Sequence, residues 1–159
     1  VGSYFEITSK GSGQERINTL PTDSEIVSIM FGTNDYASAT LGGLGSYNDG
    51  TFIGEYRACI DKIKLRCPDA MIVVCVPPRR TAEYDANTSS ITSVGTTFNS
   101  MRAMIRSLND SYGFVQIDFS NIWNYSNISL YSDDGTHPNP AGRMLMGQHY
   151  SRMIQLAPI

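Results

Sequence analysis

The sequence predicts an α/β protein built on a parallel sheet, and three observations carry that expectation. Short apolar segments of strand length alternate with segments whose apolar residues recur at helical spacing. Glycines, prolines and Asn-Asp pairs punctuate the junctions between them. The chain has 159 residues, 41% hydrophobic and 17% charged, which suits one domain with one buried core rather than a disordered tail.

Tyr4-Phe5-Glu6-Ile7 opens the series as a weak strand, followed by Ser9-Lys10-Gly11-Ser12-Gly13, whose glycines permit a tight turn. Ile26-Val27-Ser28-Ile29-Met30-Phe31 is rich in β-branched residues and reads as a buried strand ending at Gly32. Phe52, Tyr56, Cys59, Ile60 and Ile63 fall on one face of a helix of about four turns that must stop before Pro68. Residues 71–76, Met to Val, form the longest apolar run and the next strand, halted by Pro77-Pro78. A polar stretch rich in Thr, Ser and Asn over residues 81–93 reads as a long loop, either facing substrate or lying on the surface. Phe98, Met101, Ile105 and Leu108 mark another helix, and residues 114–119 alternate like a strand. Asn139 as N-cap and Pro140 at the first helical position open the last helix, which runs through Met144, Leu145 and Met153.

Composition narrows the partners. Twelve Lys and Arg against fifteen Asp and Glu give a net charge of -3 without a basic run, so nucleic acid is not expected. The longest apolar run falls far short of the ~18 residues of a membrane helix, so no membrane span is expected. Cys59, Cys67 and Cys75 are odd in number and lack C-x-x-C spacing, which indicates neither a disulfide framework nor a zinc site; Cys75, inside an apolar run, reads as a small buried hydrophobe. Asn-x-Ser/Thr triplets at Asn87, Asn109, Asn124 and Asn127 are glycan acceptors in pattern should the protein be secreted. Tyr47, Tyr84, Trp123 and Tyr125 fall in expected loops, where they suit either packing or stacking on a sugar or acyl group.

Two clusters sit where an open α/β sheet places its ligands, beyond the carboxyl ends of strands. Gly32-Thr33-Asn34-Asp35 directly follows a strand: the glycine allows a sharp turn, and the Asn34 amide offers N–H donors to a developing oxyanion. The same tetrapeptide also suits a plain turn that caps the strand. Asp134-Gly135-Thr136-His137-Pro138-Asn139-Pro140 precedes the last helix, and an Asp three residues ahead of a His can orient the imidazole and stabilise its protonated form. Alone, that spacing also fits a metal site or a turn. The other histidine, His149, lies within the final helix as a surface or packing residue.

Taken together, Gly-Thr-Asn-Asp after a strand and Asp-Gly-x-His-Pro-Asn before a C-terminal helix, about a hundred residues apart, resemble the third and fifth sequence blocks of the SGNH (GDSL-type) hydrolases. The resemblance covers nearly the whole chain in element order and rests on about ten residues. It implies a flavodoxin-like parallel-sheet sandwich with strand order 2-1-3-4-5, and an esterase, acylhydrolase or carbohydrate deacetylase activity that needs neither metal nor other cofactor. It makes His137 the base, Asp134 its orienting partner and Asn34 an oxyanion donor. The second-block glycine, whose N–H completes the oxyanion hole, falls on Gly11, with Gly13 as the alternative. The substrate class is an ester-bearing small molecule or an acylated carbohydrate.

One departure stands out. The family's nucleophile lies in a Gly-Asp-Ser block on its first strand, and this chain has no Gly-Asp-Ser. Val1-Gly2-Ser3-Tyr4 only echoes it: no strand precedes Ser3, which stands eight positions from Gly11, too few for an intervening helix. Residues 1–159 are therefore expected to form a single SGNH-like domain that lacks its first strand and helix, with the serine upstream and the sheet completed by an upstream segment or a second chain. A non-catalytic, degenerate module for carbohydrate binding or assembly is the competing expectation.

Overall fold

A computed structural model of the chain describes residues 13–35, 39–81, 97–122 and 128–157. Three parallel strands, β1 (Ile26–Ile29), β2 (Met71–Val76) and β3 (Val115–Asp118), lie in the order β1-β2-β3, with Ile29 opposite Val74 and Val76 opposite Asp118. Parallel neighbours need crossovers, and helices supply them. After α1 (Gly13–Ile17), α2 (Phe52–Arg66) links β1 to β2, α3 (Phe98–Tyr112) links β2 to β3, and α4 (Pro140–Leu156) ends the chain.

The helices begin and end where local chemistry dictates. The Thr51 and Thr97 hydroxyls cap α2 and α3 by accepting from the Gly54 and Ser100 N–H groups. The helix α2 stops at Cys67, ahead of Pro68, and α3 ends at Gly113, which adopts the left-handed conformation with φ 69°. Asn139 caps α4 and Pro140 opens it, as their order in the sequence predicts.

Alternation along β2 divides the core. Ile72, Val74 and Val76 pack with Val27 and Ile29 against α2 and α3, meeting Phe52, Tyr56, Ile60, Ile63, Met101 and Ile105. Val73 and Cys75 face the other way, with Ile117 and Phe119, towards Met146, Tyr150 and Met153 of α4. A strand buried on both faces needs an unbroken apolar run, which β2 alone has. The α4 layer is thinner: Met144 and Leu156 stay exposed, and Tyr150 reaches β1 through a hydroxyl hydrogen bond with Ser28.

Two strands are shorter than expected. Met30 and Phe31 leave the β1 ladder, and the chain turns at Gly32, whose φ is 110°. Phe114 stays outside β3 and stacks on Tyr112 with centroids 5.1 Å apart, while Phe119 starts a 3-10 turn capped by the Asp118 side chain. The expected strand at 4–7 lies outside the described residues. Asn109 corrects one sequence expectation: it is buried within α3, and its Nδ2 donates to the Phe114 carbonyl at 3.1 Å, so it is no accessible glycan acceptor. The triplets at 87, 124 and 127 fall outside the described residues.

Among the described residues β1 pairs on one side only, and along its other edge a groove of about 480 Å³ separates it from α1, lined by Ile17, Leu20, Val27, Ile29 and Phe31. All three cysteines are buried and free, and burial pushes the Cys59 and Cys75 thiols up to about 12. No helix among the described residues is long and apolar enough to cross a membrane.

Candidate active site

Every strand points its carboxyl end to the same edge of a parallel sheet, so the segments after β1, β2 and β3 gather there. The turn after β1 carries Gly32-Thr33-Asn34-Asp35. A side chain at Gly32 would meet Met101 Sδ at 2.9 Å and Phe52 Cζ at 3.2 Å, and its positive φ favours glycine independently of space. Asp35 is buried and its carbonyl accepts from Ala39 N at 2.7 Å, whereas Asn34 is exposed.

The Asp134–His137 loop reaches the same edge through the segment that follows β2. Thr81 N donates to the Gly135 carbonyl at 3.0 Å, and Arg80 Nη2 donates to Thr136 Oγ1 at 2.8 Å. Arg80 lies six residues beyond Val74 and Asn34 five beyond Ile29, and those two strand residues are paired neighbours. Adjacent strands are about 4.8 Å apart, so the parallel register brings the two loops to neighbouring places on one rim.

Within the loop, backbone geometry aims the carboxylate. Asp134 Oδ1 accepts from both Thr136 N and His137 N at 2.9 Å, leaving Oδ2 to meet His137 Nδ1 at 2.5 Å. The His137 ring foremost, then those two N–H groups, hold the Asp134 carboxyl well below the usual carboxylate range. An ionised carboxylate only accepts, so Nδ1–H is the donor, and in the neutral ring Nε2 is the nitrogen with the lone pair. The pair is open to water, with side-chain exposures of 65% for His137 and 50% for Asp134. A contact so exposed adds little stability, and its consequence is orientation of the ring.

The loop closes on α4. Ser132 N donates to the His137 carbonyl at 2.8 Å, Gly135 N to the Ser132 carbonyl at 2.9 Å, and Tyr131 bridges Pro138. Asn139 caps α4 through Oδ1 while its Nδ2 donates to the Ser129 and Tyr131 carbonyls, so one side chain ties helix and loop together. Gly142 lets them approach: a Cβ there would lie 2.3 Å from the Leu130 carbonyl oxygen.

Of the residues expected from sequence, Asp134 and His137 are in direct contact and Asn34 lies on the same rim. Gly11 falls outside the described residues, and its alternative Gly13 is the buried first residue of α1. His149 is a packing residue, edge-on to Phe119 at 6.0 Å. Arg80 escaped the sequence reading, which quotes Thr136 without a role, although a polar residue shortly past the prolines that end β2 is a signal that could have found Arg80.

Comparison with known proteins bears on the family and the fold. Residues 6–145 match the family described as GDSL-like Lipase/Acylhydrolase. The chain is similar to a solved Lactobacillus plantarum protein at 20% identity, TM-score 0.78, covering 96% of this chain and 77% of that one. It is similar to a candidate GDSL-like lipase from Parabacteroides merdae at 24% identity, TM-score 0.68, covering 92% and 71%. A peptidoglycan O-acetylesterase aligns at 17% identity and TM-score 0.54, over 84% of this chain and 39% of its own. At these identities the likeness speaks to the fold. Among curated proteins nothing matches.

Proposed function

The chain belongs to the GDSL-like lipase/acylhydrolase family and so carries the framework of an ester hydrolase; we propose that within it His137 is the general base, Asp134 its orienting partner and Asn34 an oxyanion donor. The observation that carries this reading is the Asp134–His137 pair, in which Nδ1 is engaged by the carboxylate, on the rim that also bears Asn34. A serine hydroxyl attacks the ester carbonyl while Nε2 takes its proton, and the Asn34 amide, with the Gly11 N–H, holds the tetrahedral oxyanion. The imidazolium, stabilised by Asp134, returns the proton to the leaving alkoxide, and water then releases the acid by the same route. The substrate is a small ester or an acylated carbohydrate.

The serine is assigned to a segment upstream of this chain that adds the strand beside β1. Support for this placement is the β1 edge, unpaired among the described residues, together with the apolar groove between β1 and α1.

The test is p-nitrophenyl acetate hydrolysis by the product of the whole reading frame and by the 159-residue chain. The whole protein is expected to turn over ester, with His137→Ala lowering kcat by about 10³-fold or more and Asn34→Ala by about 10²-fold. A whole protein indifferent to His137→Ala overturns the hydrolase reading. Turnover by the 159-residue chain that His137→Ala abolishes overturns the upstream serine alone.

A further inference from the structure

We infer that Arg80 is a positioning residue for the Asp134–His137 pair. The inference rests on the reading of His137 as the base and extends it to a residue outside the family blocks quoted above.

Thr136 sits between the two residues of the pair's contact, and its backbone N–H is one of the two donors that fix Asp134 Oδ1. Its hydroxyl has one hydrogen, which it gives to the Asp134 carbonyl at 3.2 Å, and lone pairs, one of which accepts from Arg80 Nη2 at 2.8 Å. Arg80 therefore holds the side chain of the residue whose backbone aims the carboxylate. A step away, Thr81 N holds the Gly135 carbonyl at 3.0 Å. Two consecutive residues of the β2 extension thus grip two consecutive residues of the loop, the buried Gly135 and the half-buried Thr136. Gly135, with φ 61°, lies between Asp134 and Thr136, so the loop backbone needs outside contacts to keep one conformation.

The chemistry of the donor matters. A guanidinium stays protonated at every pH where a histidine works as a base, so its hydrogen bond to Thr136 persists through the catalytic cycle. Its planar fork also holds direction better than an ammonium on a flexible stem. The consequence is that Arg80 sets how completely His137 is held as the Nδ1–H tautomer with Nε2 directed outward.

The test is nitrogen-15 NMR of the histidine side chains in the 159-residue chain, with backbone amide exchange at Thr136 and His137. In the parent chain His137 is expected predominantly as the Nδ1–H tautomer. Arg80→Met is expected to shift it towards the Nε2–H tautomer and to raise exchange at both amides about tenfold, while the amides of β2 and α3 keep their protection. Arg80→Lys is expected to restore part of the tautomer preference. Thr136→Val is expected to reproduce the Arg80→Met change, and the double variant to go no further than either single one, because the two groups act through one contact. A tautomer preference that survives Arg80→Met, in a chain where Asp134→Asn abolishes it, overturns the role of Arg80 and leaves the base intact. A preference that Asp134→Asn does not alter overturns the reading of the base itself. Uniform loss of protection across β2 and α3 in Arg80→Met assigns Arg80 to general stability and likewise overturns the proposal.

Discussion

The two loops that share the rim are held in opposite ways. The turn after β1 is fixed by shape: Gly32 sits under Met101 and Phe52 at a φ of 110°, and Asp35 is buried. The loop before α4 is fixed by polar bonds: Asp134 accepts from two backbone N–H groups and the imidazole, and Asn139, Thr81 and Arg80 tie its surroundings down. A group that only presents an amide tolerates being set by packing of the backbone beneath it. In the proposed role of base, His137 must keep one tautomer and one ring orientation while exposed to water, and directional hydrogen bonds supply that where burial does not.

The largest break expected is on the polar side, at its one steric joint. Gly142→Ala places a Cβ against the Leu130 carbonyl, a backbone atom that cannot rotate away, and should destabilise the chain by about 3 kcal/mol. For a chain of this size that lowers Tm by roughly 6–12 °C in calorimetry. It should also raise amide exchange across residues 129–137, because Asn139 links that segment to α4.

On the packed side, Gly32→Ala should cost about 2 kcal/mol, from its positive φ and from contact with the flexible end of Met101. Chemical denaturation of Gly32→Ala in a Met101→Ala background separates the two. The steric part should vanish as a favourable coupling, and the conformational part should remain. Coupling of the full 2 kcal/mol would show that space alone demands the glycine.

The smallest effect comes with acid, and it should touch the polar loop alone. The Asp134 carboxyl is depressed by His137 and two N–H groups, so its contribution to loop order is complete above the unfolded value of about 3.9. That contribution is lost only as pH falls through the lower folded value. Amide exchange at Thr136 and His137, corrected for intrinsic rates, should therefore stay slow at about pH 4 and rise in stronger acid. The backbone around Gly32, held by apolar contacts, should show no such step.

Much of the fold was legible because its signals are local. Periodicity located α2, β2 and α3, Asn139-Pro140 announced the start of α4, and Pro68 and Pro77 marked ends that were found. The ends of β1 and β3 were not legible, since Phe31 and Phe114 are apolar whether they continue a ladder or pack beside it. The Asp134–His137 contact of the candidate site was legible in the residue types and their spacing. The hold of Arg80 on Thr136, 56 positions away, was not, because neither residue carries a mark of the other.

The sequence by itself determined that α2, β2, α3 and α4 form, that Asn139 caps α4, and that one Asp and one His stand three apart before the last helix, because these depend on chemistry within a turn or two of chain. Tertiary structure alone decided that the loop after β1 and the loop before α4 share a rim, that Gly142 must lack a side chain, and that Asn109 is buried. Those outcomes follow from parallel register and from helices packing on the sheet, which bring together atoms that the order of residues leaves far apart.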